Sequence, residues 1–309
     1  TEPQQAAATL PDVRTVQVEI GTRVISHVVQ SGLQLIKHVR NVVAVASGKG
    51  GVGKSTTASN LALALAAEGA RVGLLDADIY GPSVPTMMGV SGRPQSVDNK
   101  SMEPLESHGV RLMSIGFLVG EDQAMVWRGP MASQALDQLL HQTNWGSPDD
   151  ELDYLVVDMP PGTGDIQLSL SQRVPVTGTV MVTTPQDIAL IDVKKGIDMF
   201  QKVGVPILGV VENMAVYVCS NCGHQEHIFG HEGGKRLAEA QGMPYLGALP
   251  LSLSIREQAD SGAPTVVSDP DSQAAQTYRE IARKVAASIA AKGRDYTHKF
   301  PTIKVSHGT

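Results

Sequence analysis

Cysteine and long apolar runs are both scarce in this sequence. The 309 residues include 2 cysteines, Cys219 and Cys222, which are too few for a disulfide framework. No apolar run approaches the roughly 18 residues that a membrane-spanning helix needs, and the first residues lack the basic and apolar regions of a secretory signal. We therefore expect a cytoplasmic protein that does not act at a membrane, with metal or redox chemistry at the cysteine pair.

Basic residues are also fewer than acidic residues. The chain has 25 Lys and Arg residues against 31 Asp and Glu residues, which gives a formal net charge of −6. This balance argues against a general nucleic-acid coat and against binding to an anionic membrane surface. The hydrophobic content of 42% is ordinary for a globular protein, and the chain is long enough to bury a large core.

The most informative stretch is the glycine-rich segment SGKGGVGKST, residues 47–56, which contains the phosphate-binding pattern G-x-x-x-x-G-K-[ST]. An apolar run at 42–46 predicts a buried strand before it, and an Ala- and Leu-rich run at 57–68 predicts a helix after it. Glycines let main-chain N–H groups point at phosphates. Lys54 places a charge on the β- and γ-phosphates, and the Ser55 hydroxyl ligates Mg²⁺. The predicted nucleotide-binding residues are Gly48, Lys49, Gly50, Gly51, Val52, Gly53, Lys54, Ser55 and Thr56.

Three aspartates lie at or just beyond the ends of predicted strands. Asp78 follows one strand and Asp158 closes another, at 154–158; this end of a parallel strand faces the ligand in an open α/β sheet. We predict that Asp78 positions or activates water, with a loop or helix-cap carboxylate as the alternative. We predict that Asp158 holds a water of the Mg²⁺ shell. Asp165 ends a glycine-rich segment, 159–165, and could belong to a switch that senses the γ-phosphate or cap the next helix.

From residue 41 onward, predicted strands alternate with predicted helices. This alternation predicts an α/β P-loop NTPase fold, a doubly wound, mostly parallel sheet with helices on both faces. Further strands are predicted at 71–75, 110–115, 179–183, 207–213 and 246–250, and helices at 131–143, 166–171, 184–202 and 272–291, with a loop at 87–106. At the end of one strand, Asn213 could read an adenine base with its amide, or be a turn asparagine. Arg128 could face a phosphate or a partner subunit, or be a surface arginine.

Residues 1–40 do not fit this alternation. The segment 16–20 alternates like a strand, whereas 24–39 could be strand or helix. Because the segment is too short for a core of its own, we interpret 1–40 as the end of an upstream domain plus a linker, and 41–309 as the nucleotide-binding domain.

The cysteine pair has the spacing of a metal-binding site. C-x-x-C brings two thiolates within reach of one metal, but an iron–sulfur cluster takes four cysteine ligands. A symmetric dimer would supply two pairs. Alternatively, Cys219 and Cys222 could hold one zinc together with nearby histidines, among them His224, His227 and His231. A thioredoxin-like redox pair is a weaker third alternative.

Five motifs occur together and in order, and their combination resembles one family. They are the P-loop with its extra lysine, LDADIYGPS at 75–83, MPPGTGD at 159–165, VENM at 211–214 and CSNC at 219–222. Over about residues 41–290 the chain resembles the Mrp/ApbC-type iron–sulfur cluster carrier ATPases of the MinD/ParA-like deviant P-loop superfamily.

The resemblance implies a homodimer that binds ATP and Mg²⁺, hydrolyses ATP slowly and carries a bridging [4Fe–4S] cluster to apoproteins. It implies that Lys49 reaches across the dimer to the partner's nucleotide, so that Lys49, Lys54 and Asp78 are the expected catalytic residues and Cys219 and Cys222 the cluster ligands. Residues 1–40 resemble the remnant of a MIP18-like domain.

Two other functions remain open at this point. A MinD/ParA-like positioning ATPase would need a membrane or DNA surface, which the sequence does not show, and it would leave the cysteines unexplained. An ATPase with a structural zinc at the cysteine pair is the other alternative.

Overall fold

One sheet of eight strands organises the computed structural model, which describes residues 23–293 except 31, 97, 99, 119–128 and 220. The sheet order is β10-β7-β6-β1-β5-β2-β4-β3, and every neighbouring pair is parallel except β3 with β4. The strands are β1 (Val42–Ser47), β2 (Val72–Asp76), β3 (Leu105–Ser107), β4 (Val110–Ser114), β5 (Tyr154–Asp158), β6 (Gly178–Thr183), β7 (Ile207–Glu212), β8 (Tyr217–Val218), β9 (Gln225–Glu226) and β10 (Tyr245–Ala248). Strands β8 and β9 form a separate antiparallel hairpin.

Helices fill the connections between these strands. They are α1 (Lys54–Ala67), α2 (Val84–Met87), α3 (Gly129–His141), α4 (Asp165–Ser171), α5 (Asp187–Lys202), α6 (Gly233–Ala240), α7 (Leu253–Asp260), α8 (Thr265–Ser268) and α9 (Gln273–Ala290), and a 3₁₀ turn spans Ile115–Phe117. None of the described helices is both long and apolar enough to cross a membrane.

The direction of the crossovers places helices on both faces of the sheet. From β1 the chain crosses through α1 to β2 on one side, whereas from β6 it crosses through α5 to β7 on the other. Because parallel crossovers are right-handed, opposite directions put α1 and α5 on opposite faces. Helix α9 packs beside α1. The predicted doubly wound, mostly parallel fold is therefore confirmed.

The central strands are buried along their whole length. All residues of β1 and β5 are buried, with the sequences VVAVAS and YLVVD. Strands covered by helices on both faces have this continuous apolar character. Consequently Ser47 and Asp158, the polar residues that end these strands, lie at a buried edge of the sheet. The functional loops follow directly after them.

The segment before β1 differs from the prediction. The expectation of a strand or helix at 24–39 is wrong, because the described part of this segment forms neither and makes isolated bridges such as Val39 with Leu152. It is ordered by docking instead. The Gln30 side chain bonds to the main chain of Ser171 and Val176, and Ile36 joins the core. The predicted strand at 16–20 and Arg128 lie outside the described residues.

Candidate nucleotide and metal sites

The P-loop joins β1 to α1 and approaches two other segments closely. A Cβ added at Gly48 would lie 2.2 Å from the main chain of Asp192 in α5. A Cβ at Gly53 would lie 2.1 Å from Asn213 Nδ2, and Gly53 has a φ of +79°. Close packing against main chain therefore requires glycine at Gly48, whereas at Gly53 the left-handed backbone favours glycine and an added Cβ would displace the Asn213 side chain.

Lys54 is the centre of the site. Its ammonium Nζ lies 2.6 Å from Asp158 Oδ1 and 3.8 Å from Asp78 Oδ2, and it donates to Ser55 Oγ at 3.2 Å. The Lys54 side chain is only 6% exposed. The structure thus brings together the lysine, the hydroxyl and the two aspartates that the sequence predicted for phosphate and Mg²⁺ chemistry.

A small cleft of ≈ 170 Å³ opens above these groups. It is lined by Ser47, Lys49, Gly50, Gly51, Gly53, Lys54, Ser55, Thr56, Asp78, Met87 and Pro161. Lys49 therefore faces the same cleft as Lys54. None of the described residues forms an ion pair with the Lys49 ammonium, so its charge is not already neutralised within the described chain.

A row of polar residues crosses three neighbouring strands beneath the cleft. The register pairs Asp158 of β5 with Asp76 of β2, and Asp76 with Ser114 of β4. Burial, followed by the nearby Asp158 charge, raises the pKa of Asp76 to about 7, although Lys54 opposes this rise. Burial also raises the pKa of Asp78, against the pull of Lys54. Asp76 was not among the predicted site residues, and the signal for it is its place at a strand end, two residues before Asp78.

The donor set in the cleft fits a hydrated Mg²⁺ ion. Asp158 Oδ2 is buried and has no hydrogen-bond partner among the described residues. A buried carboxylate oxygen without a partner is costly, and a water of a Mg²⁺ shell would satisfy it. The Ser55 hydroxyl, which accepts from the Lys54 ammonium, is an oxygen ligand of the kind that Mg²⁺ prefers.

Asn213 lies behind the P-loop rather than in the lining of the cleft. Its Nδ2 donates to Val52 O at 2.9 Å, and the side chain is buried. One N–H of the amide is therefore committed to the loop, which leaves its second N–H and Oδ1 as the donor and acceptor that could face an adenine. The role of Asn213 in adenine recognition stays a prediction, whereas its bond to the P-loop is a second role that the sequence did not indicate.

Asp165 is the first residue of α4, and the cap position is taken by Gly164. The main chain therefore contradicts the alternative that Asp165 is the N-cap residue of this helix. Its side chain lies outside the described part of the structure. A switch role for Asp165 stays a prediction.

The two cysteines lie in the turn of the β8–β9 hairpin. The Cys219 N–H donates to His224 O at 2.9 Å, and the Gly223 N–H donates to Cys219 O at 2.9 Å. Cys219 is half-buried and Cys222 is exposed. Main-chain N–H groups of Cys222 and Asn221 and the Cys222 thiol donate to the Cys219 sulfur, which lowers the pKa of the Cys219 thiol. The thiolate, the form that binds metal, is therefore more readily formed at Cys219 than at an ordinary cysteine.

The nearby histidines do not complete a metal site. Within the described residues, no group of three or more His, Cys, Asp or Glu side chains is placed to hold a metal. His227 Nδ1 is within hydrogen-bond distance of Ala215 O, at 2.8 Å, and its ring packs edge-on against that of His231. The described chain therefore offers two cysteine sulfurs and no third ligand.

Comparison with known proteins identifies the family. The model of the ParA family, described as NUBPL iron-transfer P-loop NTPase, matches residues 38–286. The chain is 58% identical to the iron-sulfur cluster carrier protein of Pseudomonas fragi over 281 residues, covering 90% of this chain and 96% of that protein. It is 62% identical to the iron-sulfur cluster carrier protein of Escherichia coli K12 over 259 residues, covering 84% and 69%.

A solved structure supports the same assignment. The nucleotide-binding protein of Archaeoglobus fulgidus, solved in complex with ADP, is 35% identical, with a TM-score of 0.64, and the match covers 74% of this chain and 88% of that one. The extent of the family match, the two relatives and the geometry of the P-loop lead to one conclusion. The chain belongs to the ParA family of NUBPL-type iron-transfer P-loop NTPases.

Proposed function

We propose that this protein is an iron–sulfur cluster carrier that uses ATP. It binds and slowly hydrolyses ATP with Mg²⁺, holds a [4Fe–4S] cluster between two copies of the chain, and passes that cluster to apoproteins. The cluster is cargo rather than a resident cofactor, and the names of the two bacterial relatives support this assignment.

One observation carries the proposal, namely the incomplete metal site at Cys219 and Cys222. The pair is accessible, the pKa of the Cys219 thiol is lowered, and no third ligand accompanies the pair in the described residues. A [4Fe–4S] cluster takes four thiolates, and a two-fold axis through the site would supply two from each copy. Because Cys222 is exposed, a receiving protein could reach its sulfur, which suits transfer.

The P-loop supplies the ATPase part of the function. Lys54 would bind the β- and γ-phosphates, Ser55 and Asp158 would hold Mg²⁺, and Asp78 would orient the attacking water. When bound, Mg²⁺ neutralises charge that develops on the phosphates. Phosphate oxygens compete with the two aspartates for the Lys54 ammonium, so ATP binding is expected to free Asp78 from its contact with Lys54.

A short chain segment links the two sites. Asn213 bonds to the P-loop at Val52 O, and the chain then runs through β8 directly into Cys219. The segment 213–219 therefore contacts the P-loop at one end and carries Cys219 at the other. We expect nucleotide binding to change cluster release through this segment, which is measured by the rate of transfer with and without ATP.

Anaerobic reconstitution with iron and sulfide tests the carrier function. The expected result is about four iron and four sulfide ions per two chains, with a brown chromophore and a shift from one to two chains in native mass spectrometry. Cys219→Ser and Cys222→Ser should both lose the chromophore while retaining ATP binding, because the P-loop does not include them. Transfer is measured to a bacterial-type apo-ferredoxin.

His227→Ala is the matched control for the zinc alternative. It should leave iron content unchanged, since His227 already bonds to Ala215 O. One zinc per chain, lost in His227→Ala and independent of dimer formation, together with no uptake of iron or sulfide, would contradict the carrier function.

A further inference from the structure

We propose that Asp76 is a positioning residue for ATP hydrolysis, because its carboxylate holds in place the loop that carries Asp78. The inference rests on the proposed ATPase function and deepens it. Asp76 ends β2 and is fully buried. It is absent from the lining of the nucleotide cleft, so any effect on catalysis has to pass through other residues.

The Asp76 carboxylate holds both ends of the loop formed by residues 77–83. Its Oδ1 accepts from the Asp78 N–H at 3.1 Å, and its Oδ2 accepts from the Val84 N–H at 3.2 Å. Oδ2 also accepts from the Ser114 hydroxyl at 3.2 Å. One side chain thus fixes the start of the loop, the first residue of α2 and the neighbouring strand β4.

A carboxylate suits this position better than a neutral side chain of the same shape. In the ionised form both oxygens of Asp76 are acceptors, and each faces at least one donor. In Asp76→Asn one oxygen becomes an NH₂ group, which would face a donor in either orientation of the amide. At least one end of the loop would therefore be released, with little change in side-chain volume.

The hydrogen bonds between Asp76 and the loop become more important when phosphate occupies the cleft. Lys54 Nζ lies 3.8 Å from Asp78 Oδ2 and is the cation that phosphates would attract. The bonds from Asp76 to the loop do not involve Lys54. They can therefore keep Asp78 in place after Lys54 has turned to the nucleotide, at the stage when water must be oriented.

Steady-state ATP hydrolysis and ATP affinity provide the first test. For Asp76→Asn we expect kcat to fall by about 10- to 100-fold, the scale of a small misplacement of a catalytic group, while the Kd for ATP stays within about threefold. Ser114→Ala removes one of the three donors and should give a smaller fall. Asp98→Asn is the matched control, because Asp98 also accepts from main-chain N–H groups just downstream, but in an exposed turn; its turnover should be unchanged.

A double-mutant cycle shows whether Asp76 acts through Asp78. In an Asp78→Ala background, Asp76→Asn should cause no further fall in residual turnover, because the group that it positions is gone. Independent, multiplicative losses would overturn the proposal, and so would a large loss of ATP affinity in Asp76→Asn.

Amide hydrogen exchange gives a readout that needs no turnover. In Asp76→Asn, and less so in Ser114→Ala, the amides of Asp78 and Val84 should exchange at least about tenfold faster, while the core strand β5 stays protected. Unchanged exchange at both amides would overturn the inference. If the unaltered protein hydrolyses no ATP, the proposed function fails, whereas the exchange experiment still decides whether Asp76 holds the loop.

Discussion

Replacing Lys54 by methionine is expected to cost stability as well as nucleotide binding. The Lys54 ammonium and the Asp158 carboxylate are 2.6 Å apart, with side-chain exposures of 6% and 0%. With an effective dielectric constant of about 20, their attraction is about 6 kcal/mol. Part of this is offset because the ammonium no longer has to be desolvated. Breaking a buried pair from one side costs about 3–5 kcal/mol, which is the expected loss in the free energy of unfolding.

The double variant Lys54→Met with Asp158→Asn separates the two effects. The Lys54–Asp158 pair is then removed from both sides, whereas Asp78 still loses its contact with Lys54, so part of the lost stability should return and ATP binding should not. Urea unfolding gives the stabilities, and a fluorescent ATP analogue gives the affinities.

Arg256→Met is the matched control, because it breaks an ion pair of nearly the same length that is exposed rather than buried. Arg256 and Asp260 are 2.7 Å apart, but their side chains are 60% and 64% exposed, and an exposed pair is worth about 0.2–1 kcal/mol. The reasoning is refuted if Lys54→Met costs no more than this control, or if adding Asp158→Asn lowers stability further.

Three further predictions concern other parts of the site. Mixing Lys49→Ala with Asp78→Ala subunits should restore part of the ATPase activity if Lys49 acts across the dimer, because a mixed dimer could contain one intact site; no recovery in verified mixed dimers would exclude the trans role. Gly53→Ala should lower stability and abolish nucleotide binding, since its Cβ would lie 2.1 Å from the Asn213 amide nitrogen. The control Gly109→Ala has nearly the same φ, +77°, and open space around it, so it should lower the free energy of unfolding by only about 1 kcal/mol. Burial raises the pKa of Glu212, so the folded chain keeps that proton to a higher pH than the unfolded chain. The free energy of unfolding should therefore fall as the pH rises above 4.5, and Glu212→Gln should flatten this part of its pH profile in urea unfolding.

Local patterns were sufficient for the centre of the fold. The P-loop glycines, the apolar strands β1 and β5 and the long helices α1 and α9 all carry their signal within a few adjacent residues, and each was predicted to within about one helical turn. Lys54 and Asp158 were predicted as site residues for the same reason. A strand end next to a glycine-rich loop has few structural alternatives.

Features that depend on long-range packing could not be predicted in this way. The role of Asp76 follows from a register that joins β5, β2 and β4, which are far apart in sequence. The segment 24–39 has no periodic signal, and it is held by contacts with distant residues, among them the bonds of the Gln30 side chain with the main chain of Ser171 and Val176. The short helices α6 and α7 give too few turns for a reliable pattern.

The pairing of β1 with β5 also has a consequence for how the protein folds. Val45 and Asp158 are register partners although more than a hundred residues separate them, so the contact between Lys54 and Asp158 can form only after the intervening chain has been arranged. Parallel pairing over such distances is slow, and the phosphate site is expected to be completed late. A nucleotide that binds only the finished site stabilises it by mass action. The ATP concentration is therefore expected to set how long newly made chains remain open to proteases, in addition to how fast the mature protein turns over.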